Sequence, residues 1–376
     1  MLWIPGPTEV RPEVLAACTT PMIGHRSAAC AELVGAVDPG LRLAFGLAPD
    51  STSTVAVHTC SATGLMEASL HGVGSRVLCV VGGAFAKRWA TVAEAVGKQV
   101  VRLEVPWGAA VGQDELRAAL SSGAPFDAVT LVVNETSTGV RTHLDRVAEV
   151  LRDFEGTRLL VDVVSLLAGG PVDAEAHGVD FALAGTQKAL ALPPGLAVCC
   201  VSARYLDEAR ARTRPSMYLD PVAIVDGHVA RKTPSTPAIG LYRALHRQLT
   251  DITDGVTLPE ADRQLTGAGA WFARYAKHER MQARTVVWAR GHGLELLPSD
   301  DDASPTVSCV RAGQVDVAAL TAGLKQRGYE ISNGYGPLKG ETFRIGHMGD
   351  HTEAGLEELL AAADEVLAEL GAGTTG

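Results

Sequence analysis

Apolar and polar positions follow two alternating patterns between about Ser53 and Ser202. Short, nearly continuous apolar segments with many β-branched residues predict buried strands. Segments with helical spacing lie between most of them, for example Asp114–Leu120 and Leu144–Phe154. The predicted strands are Arg76–Val81, Gln99–Val105, Ala128–Val133, Arg158–Val164, Phe181–Ala184 and Leu196–Ser202. Apolar strands separated by helices are typical of a parallel sheet with helices on both faces, so this pattern predicts an α/β fold.

The pattern changes in the remainder of the chain. Residues 237–295 predict long helices, and residues 305–370 predict the order strand, helix, strand, strand, helix. The predicted segments are Thr306–Val310, Val317–Arg327, Gly328–Ile331, Thr342–Met348 and Glu353–Leu370. This order indicates a smaller α+β domain, on which the first 45 residues are expected to pack. We therefore expect an N-terminal segment over 1–45, a large α/β domain over 46–255 and a small C-terminal domain over 256–376.

Composition excludes several classes of protein. The chain has 376 residues, of which 47% are hydrophobic and 20% charged, so it is not disordered as a whole. A net charge of −10 gives no overall attraction to nucleic acid or to anionic lipid. The longest apolar run, Val77–Ala86, is about half as long as a membrane span. We expect a cytoplasmic enzyme with no disulfide framework, no metal and no membrane or nucleic-acid partner.

A lysine follows one of the predicted strands. Lys188 comes shortly after Phe181–Ala184, and open α/β sheets bind ligands at the carboxyl ends of their strands. Burial at such a position lowers the pKa of a lysine, which suits Schiff-base chemistry. Taken alone, however, Lys188 is also explained as a residue that ends a strand and reaches solvent.

Asp162 lies inside the apolar segment Arg158–Val164. A buried carboxylate is costly without a cationic partner, so Asp162 could pair with Lys188 or with a backbone amide. It could instead meet the protonated ring nitrogen of pyridoxal phosphate joined to Lys188. That cofactor requires both a lysine and an acidic partner for its ring.

Three further segments near predicted strand ends carry groups that suit a ligand. Thr59–Gly64 places small residues and hydroxyls before a helix, where backbone amides favour a phosphate. Phe85 offers a flat ring, and Asn134–Gly139 contains three hydroxyls. Taken separately, the first segment is also explained as a helix N-cap, the second as a core phenylalanine and the third as an ordinary turn. Together, the three segments suit one cofactor.

Eight segments, in the same order along the chain, resemble the class V aminotransferases, which are pyridoxal phosphate enzymes of fold type I. The resemblance is strongest to the alanine/serine–glyoxylate aminotransferase group. The matching segments are Ile4–Thr8, Gly24–Ser27, Ser61–Ala68, Glu135–Gly139, Val161–Asp162, Gly185–Lys188, Thr236–Pro237 and Phe343–Gly346. The resemblance implies a mainly parallel seven-stranded sheet covered by helices, a cofactor-binding large domain and a smaller α+β C-terminal domain.

The resemblance also implies roles around the cofactor ring. Lys188 would be joined to pyridoxal 5′-phosphate and would move the proton that leaves the α-carbon of the amino acid. Asp162 would keep the ring nitrogen protonated, and Phe85 would stack on the ring. Thr136 and Gln187 would lie near the ring hydroxyl.

Two groups of residues are implied to bind the cofactor phosphate. Ser61, Ala62 and Thr63 would bind it within one chain, and Ser235 and Thr236 would reach it from the neighbouring subunit. The resemblance therefore implies a homodimer with shared active sites.

The substrate carboxylate is implied to lie against Arg344, with the backbone of Gly6 close to it. The expected reaction moves an amino group from alanine or serine to glyoxylate or pyruvate. The sequence departs from the family pattern, which leaves the substrate open. Cys60 and Ala62 stand at common glycine positions, Lys232 and Pro234 replace residues that include an aromatic one, and Asn134 is unusual.

The sequence leaves two alternatives open. One is a cysteine desulfurase or another lyase on the same fold. Those enzymes place one histidine before the lysine and stack another on the ring, where this chain has Gln187 and Phe85. The other is a non-catalytic interaction protein, because a fold does not establish a function. The presence of both Lys188 and Asp162 argues against this second alternative.

Overall fold

The computed structural model describes residues 1–373. Its strands are β1 (Thr54–His58), β2 (Arg76–Val81), β3 (Gln99–Glu104), β4 (Ala128–Val132), β5 (Asn134–Glu135), β6 (Val140–Arg141), β7 (Arg158–Asp162), β8 (Phe181–Gly185), β9 (Ala197–Val201), β10 (Val307–Arg311), β11 (Ser332–Asn333) and β12 (Thr342–Gly346). Its α-helices are α1 (Pro12–Cys18), α2 (Ala28–Ala36), α3 (Asp38–Ala44), α4 (Ala62–His71), α5 (Ala84–Ala95), α6 (Gln113–Leu120), α7 (Leu144–Leu151), α8 (Ala203–Arg210), α9 (Pro221–Val229), α10 (Ile239–Thr253), α11 (Gly267–Gly291), α12 (Val317–Gln326) and α13 (Glu353–Gly373). Within this described part, no helix has the length and apolar character needed to cross a membrane.

Seven strands form the large sheet, in the order β1–β9–β8–β7–β4–β2–β3. The pairs β2–β3, β2–β4, β4–β7 and β7–β8 are parallel, whereas β9 pairs antiparallel with both β1 and β8. This confirms the mainly parallel seven-stranded sheet. The apolar pattern predicts six of these strands but not β1, a five-residue strand that follows a run of polar residues.

Helices cover both faces of the large sheet. Successive residues of a strand point to opposite faces. Accordingly, Leu160 of β7 lies in the same hydrophobic core as Leu65 and Trp89 on one face, and its neighbour Val161 lies in the core that contains Leu245 on the other. This two-sided burial explains why the strands are apolar along their whole length.

The parallel strands bring several chain segments to one edge of the sheet. β2, β4, β7 and β8 run in the same direction, so their carboxyl ends lie at the same edge. Asp162, the last residue of β7, is paired with Val132 of β4 on one side and with Leu183 of β8 on the other. The segments that carry Phe85, Thr136 and Lys188 follow the strands at this edge.

A three-stranded antiparallel sheet, β10–β12–β11, forms the second core with α11, α12 and α13. The predicted strand Gly328–Ile331 is wrong. The amide of Tyr329 bonds to the carbonyl of Leu324, so this segment completes the end of α12. Glu330 forms only an isolated bridge with Leu2, and the short strand β11 begins at Ser332.

The first 45 residues divide their contacts between the two cores. Trp3 lies in the core of the small sheet, as expected for this segment. Val14, Val34 and Leu41, from α1, α2 and α3, lie instead in the core under the large sheet. The domain limits at residues 45 and 255 stay predictions.

Candidate active site

Lys188 lies beyond the carboxyl end of β8 with its side chain turned into the protein. The residue is buried, and its Nζ donates a hydrogen bond to the carbonyl of Pro5. Burial, together with the nearby charge of Arg344, lowers the pKa of Lys188 to about 8. At pH 7 about one-tenth of an amine with this pKa is unprotonated, far more than for a lysine with the ordinary pKa of 10.5, and condensation with an aldehyde requires the unprotonated form.

Gly6 is the residue that allows the N-terminal segment to approach Lys188. Its φ of +94° lies in the region that favours glycine. A Cβ at this position would stand 2.8 Å from Lys188 Nζ and 2.9 Å from Lys188 Cε. The resemblance placed Gly6 near the substrate carboxylate, and the structure places it directly against the lysine.

Asp162 is the buried acid of the site. Its Oδ1 accepts a hydrogen bond of 2.7 Å from the amide of Val164. Burial is the main cause that raises the pKa of Asp162 to about 7, and the nearby charge of Glu135 also raises it. A buried carboxylate with so weakly stabilised a charge is suited to a cationic or protonated ligand.

Phe85 is held at the start of α5 by a carboxylate. Glu135 accepts hydrogen bonds from the amides of Phe85 and Ala86 and from the hydroxyl of Ser137. A carboxylate at a helix N-terminus bonds to free amides and interacts favourably with the helix dipole. The ring centroid of Phe85 consequently lies 6.0 Å from Lys188 Nζ. This role of Glu135 was not predicted from the sequence, although an acid after an apolar strand was a visible signal.

Arg344 reaches the site from β12, the central strand of the small sheet. Its Nε and Nη2 donate to the carbonyl of Asn333 at 3.2 and 3.0 Å, and its Nη1 donates to the carbonyl of Thr136 at 3.1 Å. A guanidinium carries five N–H groups. These three bonds leave, within the described residues, one N–H on each terminal nitrogen. Two N–H groups on one guanidinium can bind both oxygens of a carboxylate.

The hydroxyls of the turn after β4 are not equivalent. The Oγ atoms of Thr136 and Ser165 lie 2.5 Å apart, and both residues are buried. Ser137 and Thr138 bond instead to Glu135, through its side chain and its carbonyl respectively. This contact of Ser165 was not predicted from the sequence, although Ser165 follows Asp162 by only three positions.

Gln187 turns back toward its own strand. A Cβ on Gly185 would stand 2.5 Å from Gln187 Oε1, and the carbonyl of Gln187 accepts a bond from the amide of Thr8. Its predicted position near a ring hydroxyl stays a prediction.

The proposed phosphate-binding residues begin α4. Ser61 is the exposed N-cap residue, and its side chain makes no capping hydrogen bond. Ala62 is buried and Thr63 is half-buried in the first turn. The first amides of an α-helix lack partners within the helix, and the helix dipole there favours an anion.

Ser235 and Thr236 lie in a different cleft. This cleft has a volume of about 680 Å³, and its lining includes His25, Arg26 and Lys232. Their predicted contact with the phosphate of a neighbouring subunit stays a prediction.

The donor set at the sheet edge fits pyridoxal phosphate. That cofactor has an aldehyde for an amine, a ring nitrogen for an acid and a flat ring. The edge offers Lys188 with its low pKa, the buried carboxylate of Asp162 and the ring of Phe85. The start of α4 offers the hydroxyl of Ser61, which makes no capping hydrogen bond to the helix.

Comparison with known proteins gives one family. The family described as aminotransferase class-V matches residues 53–240. An uncharacterized aminotransferase of Methanocaldococcus jannaschii is 32% identical over 99% of this chain and 93% of its own length. A Synechococcus protein named soluble hydrogenase, small subunit, is 31% identical over 99% of this chain and 94% of its own length. The crystal structure of an alanine–glyoxylate aminotransferase from Nostoc sp. matches with a TM-score of 0.86 at 30% identity, covering 97% of this chain and 94% of that one.

Proposed function

The chain belongs to the class V aminotransferase family, and from this we propose that it transfers an amino group from a small L-amino acid, alanine or serine, to glyoxylate or pyruvate. The family is typically dependent on pyridoxal phosphate, which we propose as the cofactor. The observation that carries the proposal is the convergence of Lys188, Asp162 and Phe85 at one sheet edge, with Arg344 entering from the small sheet. The name of the Nostoc protein supports the choice of substrates.

Bound pyridoxal phosphate supplies an aldehyde that condenses with amines and a ring that withdraws electrons from the amino-acid α-carbon. Asp162 would hold a proton on the ring nitrogen, because its own charge is poorly stabilised by the protein. Phe85 would pack on the ring, and the first turn of α4 would bind the phosphate.

Lys188 Nζ is the group that would carry the proton from the substrate α-carbon. Its pKa of about 8 lies near the operating pH, which is where a side chain both accepts and releases protons efficiently. The bond from Nζ to the carbonyl of Pro5 and the close backbone of Gly6 restrict where the amine can move.

Arg344 would orient the substrate. Its two remaining terminal N–H groups would bind the α-carboxylate, and its bonds to Asn333 and Thr136 hold the guanidinium in one orientation. We extend the proposal to a homodimer in which Ser235 and Thr236 contact the cofactor phosphate of the other subunit. A chain that sediments only as a monomer with cofactor bound would contradict that extension.

The proposal is tested by supplying the purified chain with pyridoxal phosphate and a panel of amino donors. Serine and aspartate are each combined with glyoxylate, pyruvate and 2-oxoglutarate. Alanine is combined with glyoxylate and 2-oxoglutarate only, because alanine with pyruvate regenerates the same two compounds. The new amino acid is quantified by chromatography, and we expect the highest kcat/KM for alanine with glyoxylate or for serine with glyoxylate or pyruvate. Amino transfer to none of the acceptors, with release of sulfide from cysteine, would show a lyase instead.

A further inference from the structure

Tyr335 lies on a short loop that connects β11 to β12 and reaches toward the edge of the large sheet. The loop has a fixed shape: Asn333 Oδ1 accepts a hydrogen bond of 2.8 Å from the amide of Gly340. A Cβ on Gly334 would overlap the carbonyl of Leu338. A Cβ built on Gly336 would stand 3.5 Å from the half-buried ring of Trp107, which follows β3 of the large sheet. The loop of Tyr335 therefore lies close to the edge of the large sheet.

The ring of Tyr335 adjoins two groups of the candidate active site. Its centroid lies 5.9 Å from that of Phe85, with 40° between the ring planes. The guanidinium carbon of Arg344 lies 5.6 Å from the same centroid, a distance at which a cation and an aromatic face attract. Phe85 is in turn 6.0 Å from Lys188 Nζ. Tyr335 therefore adjoins both the guanidinium proposed to bind the substrate carboxylate and the ring proposed to pack on the cofactor.

Tyr335 is nonetheless 38% exposed, unlike most large apolar side chains of the protein. The backbone carbonyl next to its loop, that of Asn333, is occupied by Arg344, so the loop is fixed while the ring keeps a free surface. A rigid aromatic ring with a free surface at a site is suited to contact a ligand.

We propose that Tyr335 is a specificity-determining residue that forms a wall of the substrate pocket between Phe85 and Arg344 and limits the side chain of the amino donor to a small size. The inference rests on the proposed function, because it assigns the substrate carboxylate to Arg344. An aromatic ring at this point fills space that a longer side chain would need. It also covers one side of the guanidinium and so favours a single orientation of the bound carboxylate.

The test compares amino donors whose side chains lengthen by one methylene at a time, from alanine through 2-aminobutyrate to norvaline. For the natural chain we expect kcat/KM to fall by about tenfold or more for each methylene beyond the size that the pocket accepts. In Tyr335→Ala we expect kcat/KM for norvaline, divided by kcat/KM for alanine, to rise by at least about tenfold. We also expect the KM for alanine to rise about threefold to tenfold, because the contact with Arg344 is lost. An unchanged ratio in Tyr335→Ala would overturn the inference.

Two variants act as controls. Tyr335→Phe keeps the ring and should preserve the donor ratio of the natural chain. Phe272→Ala removes an aromatic side chain of α11 that is 62% exposed and outside the site, and it should also leave the ratio unchanged. A shift in either control as large as that in Tyr335→Ala would contradict a role for the ring.

A binding measurement separates this inference from the proposed reaction. Acetate, propionate, butyrate and valerate are titrated into the cofactor-free chain by calorimetry. Tyr335→Ala should bind the longer acids better, relative to acetate, than the natural chain does. If the natural chain transfers no amino group but the two chains differ in this way, the proposed function fails, while the role of Tyr335 in limiting the size of a bound carboxylate ligand stands. If the relative affinities are the same in both chains, the inference fails.

Discussion

Two regions of the protein bury a lysine together with a carboxylate and an arginine. The first is the candidate active site with Lys188, Asp162 and Arg344. The second, here called the α11 cluster, consists of Arg274 and Lys277 of α11, Asp350 and, at its margin, Arg11 and Gln248. Burial lowers the pKa of both lysines, to about 8 for Lys188 and about 7 for Lys277. A lowered lysine pKa therefore does not distinguish the two regions.

The carboxylates do distinguish them. Asp350 lies 2.8 Å from Arg274 and 2.7 Å from Arg11 and accepts a bond of 2.9 Å from Gln248. Burial alone would raise the pKa of Asp350, but the charges of Arg274, Lys277 and Arg11 outweigh burial and lower the pKa. Asp162 accepts its bond from one backbone amide, and its pKa is raised. The acid whose charge the protein does not compensate marks the site that suits a ligand.

The α11 cluster also supports the active site. Arg274 Nη2 donates to the carbonyl of Ala189, the residue after Lys188, at 2.7 Å, and its Nε donates to the carbonyl of Ala168 at 3.0 Å. Lys277 donates to the carbonyl of Gly349, on the segment that follows β12. The cluster thus joins the loop of Lys188 to the segment that follows the strand of Arg344.

The largest expected effect is a difference in amino-transfer activity between variants of the two lysines. Lys188→Ala should lower amino transfer by at least about 10³-fold, because the proton carrier is removed, and should change the free energy of unfolding little. Lys277→Met, a substitution of similar length, should keep most of the activity. Steady-state kinetics and urea unfolding of both variants check this. Comparable activity losses in the two variants would remove the distinction between the regions.

The next largest expected effect is a difference in the free energy of unfolding between variants of the two carboxylates. Asp350→Ala leaves Arg274 and Lys277 buried without their acid and should lower the free energy of unfolding by about 3–5 kcal/mol. If this variant does not fold, Asp350→Asn gives the same comparison with a smaller loss of hydrogen bonds. Asp162→Asn removes a charge that the folded chain stabilises poorly. Without cofactor, this variant should therefore be at least as stable as the natural chain, and its rate of amino transfer should fall. Urea unfolding near pH 7.5 checks both, and equal losses of stability would refute the comparison.

The smallest effect is a difference in pH dependence. Lys277 binds its proton less tightly in the folded chain, with a pKa of about 7, than in the unfolded chain, where the ordinary lysine value of 10.5 applies. Between these values the unfolded chain holds more protons, so the free energy of unfolding rises with pH. Lys188 contributes a similar rise above about pH 8 in the cofactor-free chain. In Lys277→Met the rise between pH 7 and 8 should become smaller. Unfolding curves at half-unit steps of pH measure it, and identical slopes in the two chains would count against a buried, weakly basic Lys277.

The sequence by itself determined six of the seven strands of the large sheet and the two central residues of the candidate site. Strand β2 is predicted with its observed limits, because both faces of the sheet are buried and the positions after Arg76 are all apolar. The same reasoning made Asp162 conspicuous as an acid in an apolar strand and Lys188 conspicuous as a lysine after one. Parallel strands place their carboxyl ends at one edge, so the proximity of these residues followed from local pattern and topology.

Only the tertiary structure decided how the small sheet completes the site. Arg344 and Thr136 are 208 positions apart in sequence, and their contact depends on how β12 packs against the turn after β4. The contact between Tyr335 and Phe85 likewise joins residues that are distant in sequence, and no periodicity in the chain encodes it. The same holds for Asp162 and Asp350. Both are buried acids, but only packing determines which of them receives cations, because the charge around a residue is set by side chains distant in sequence.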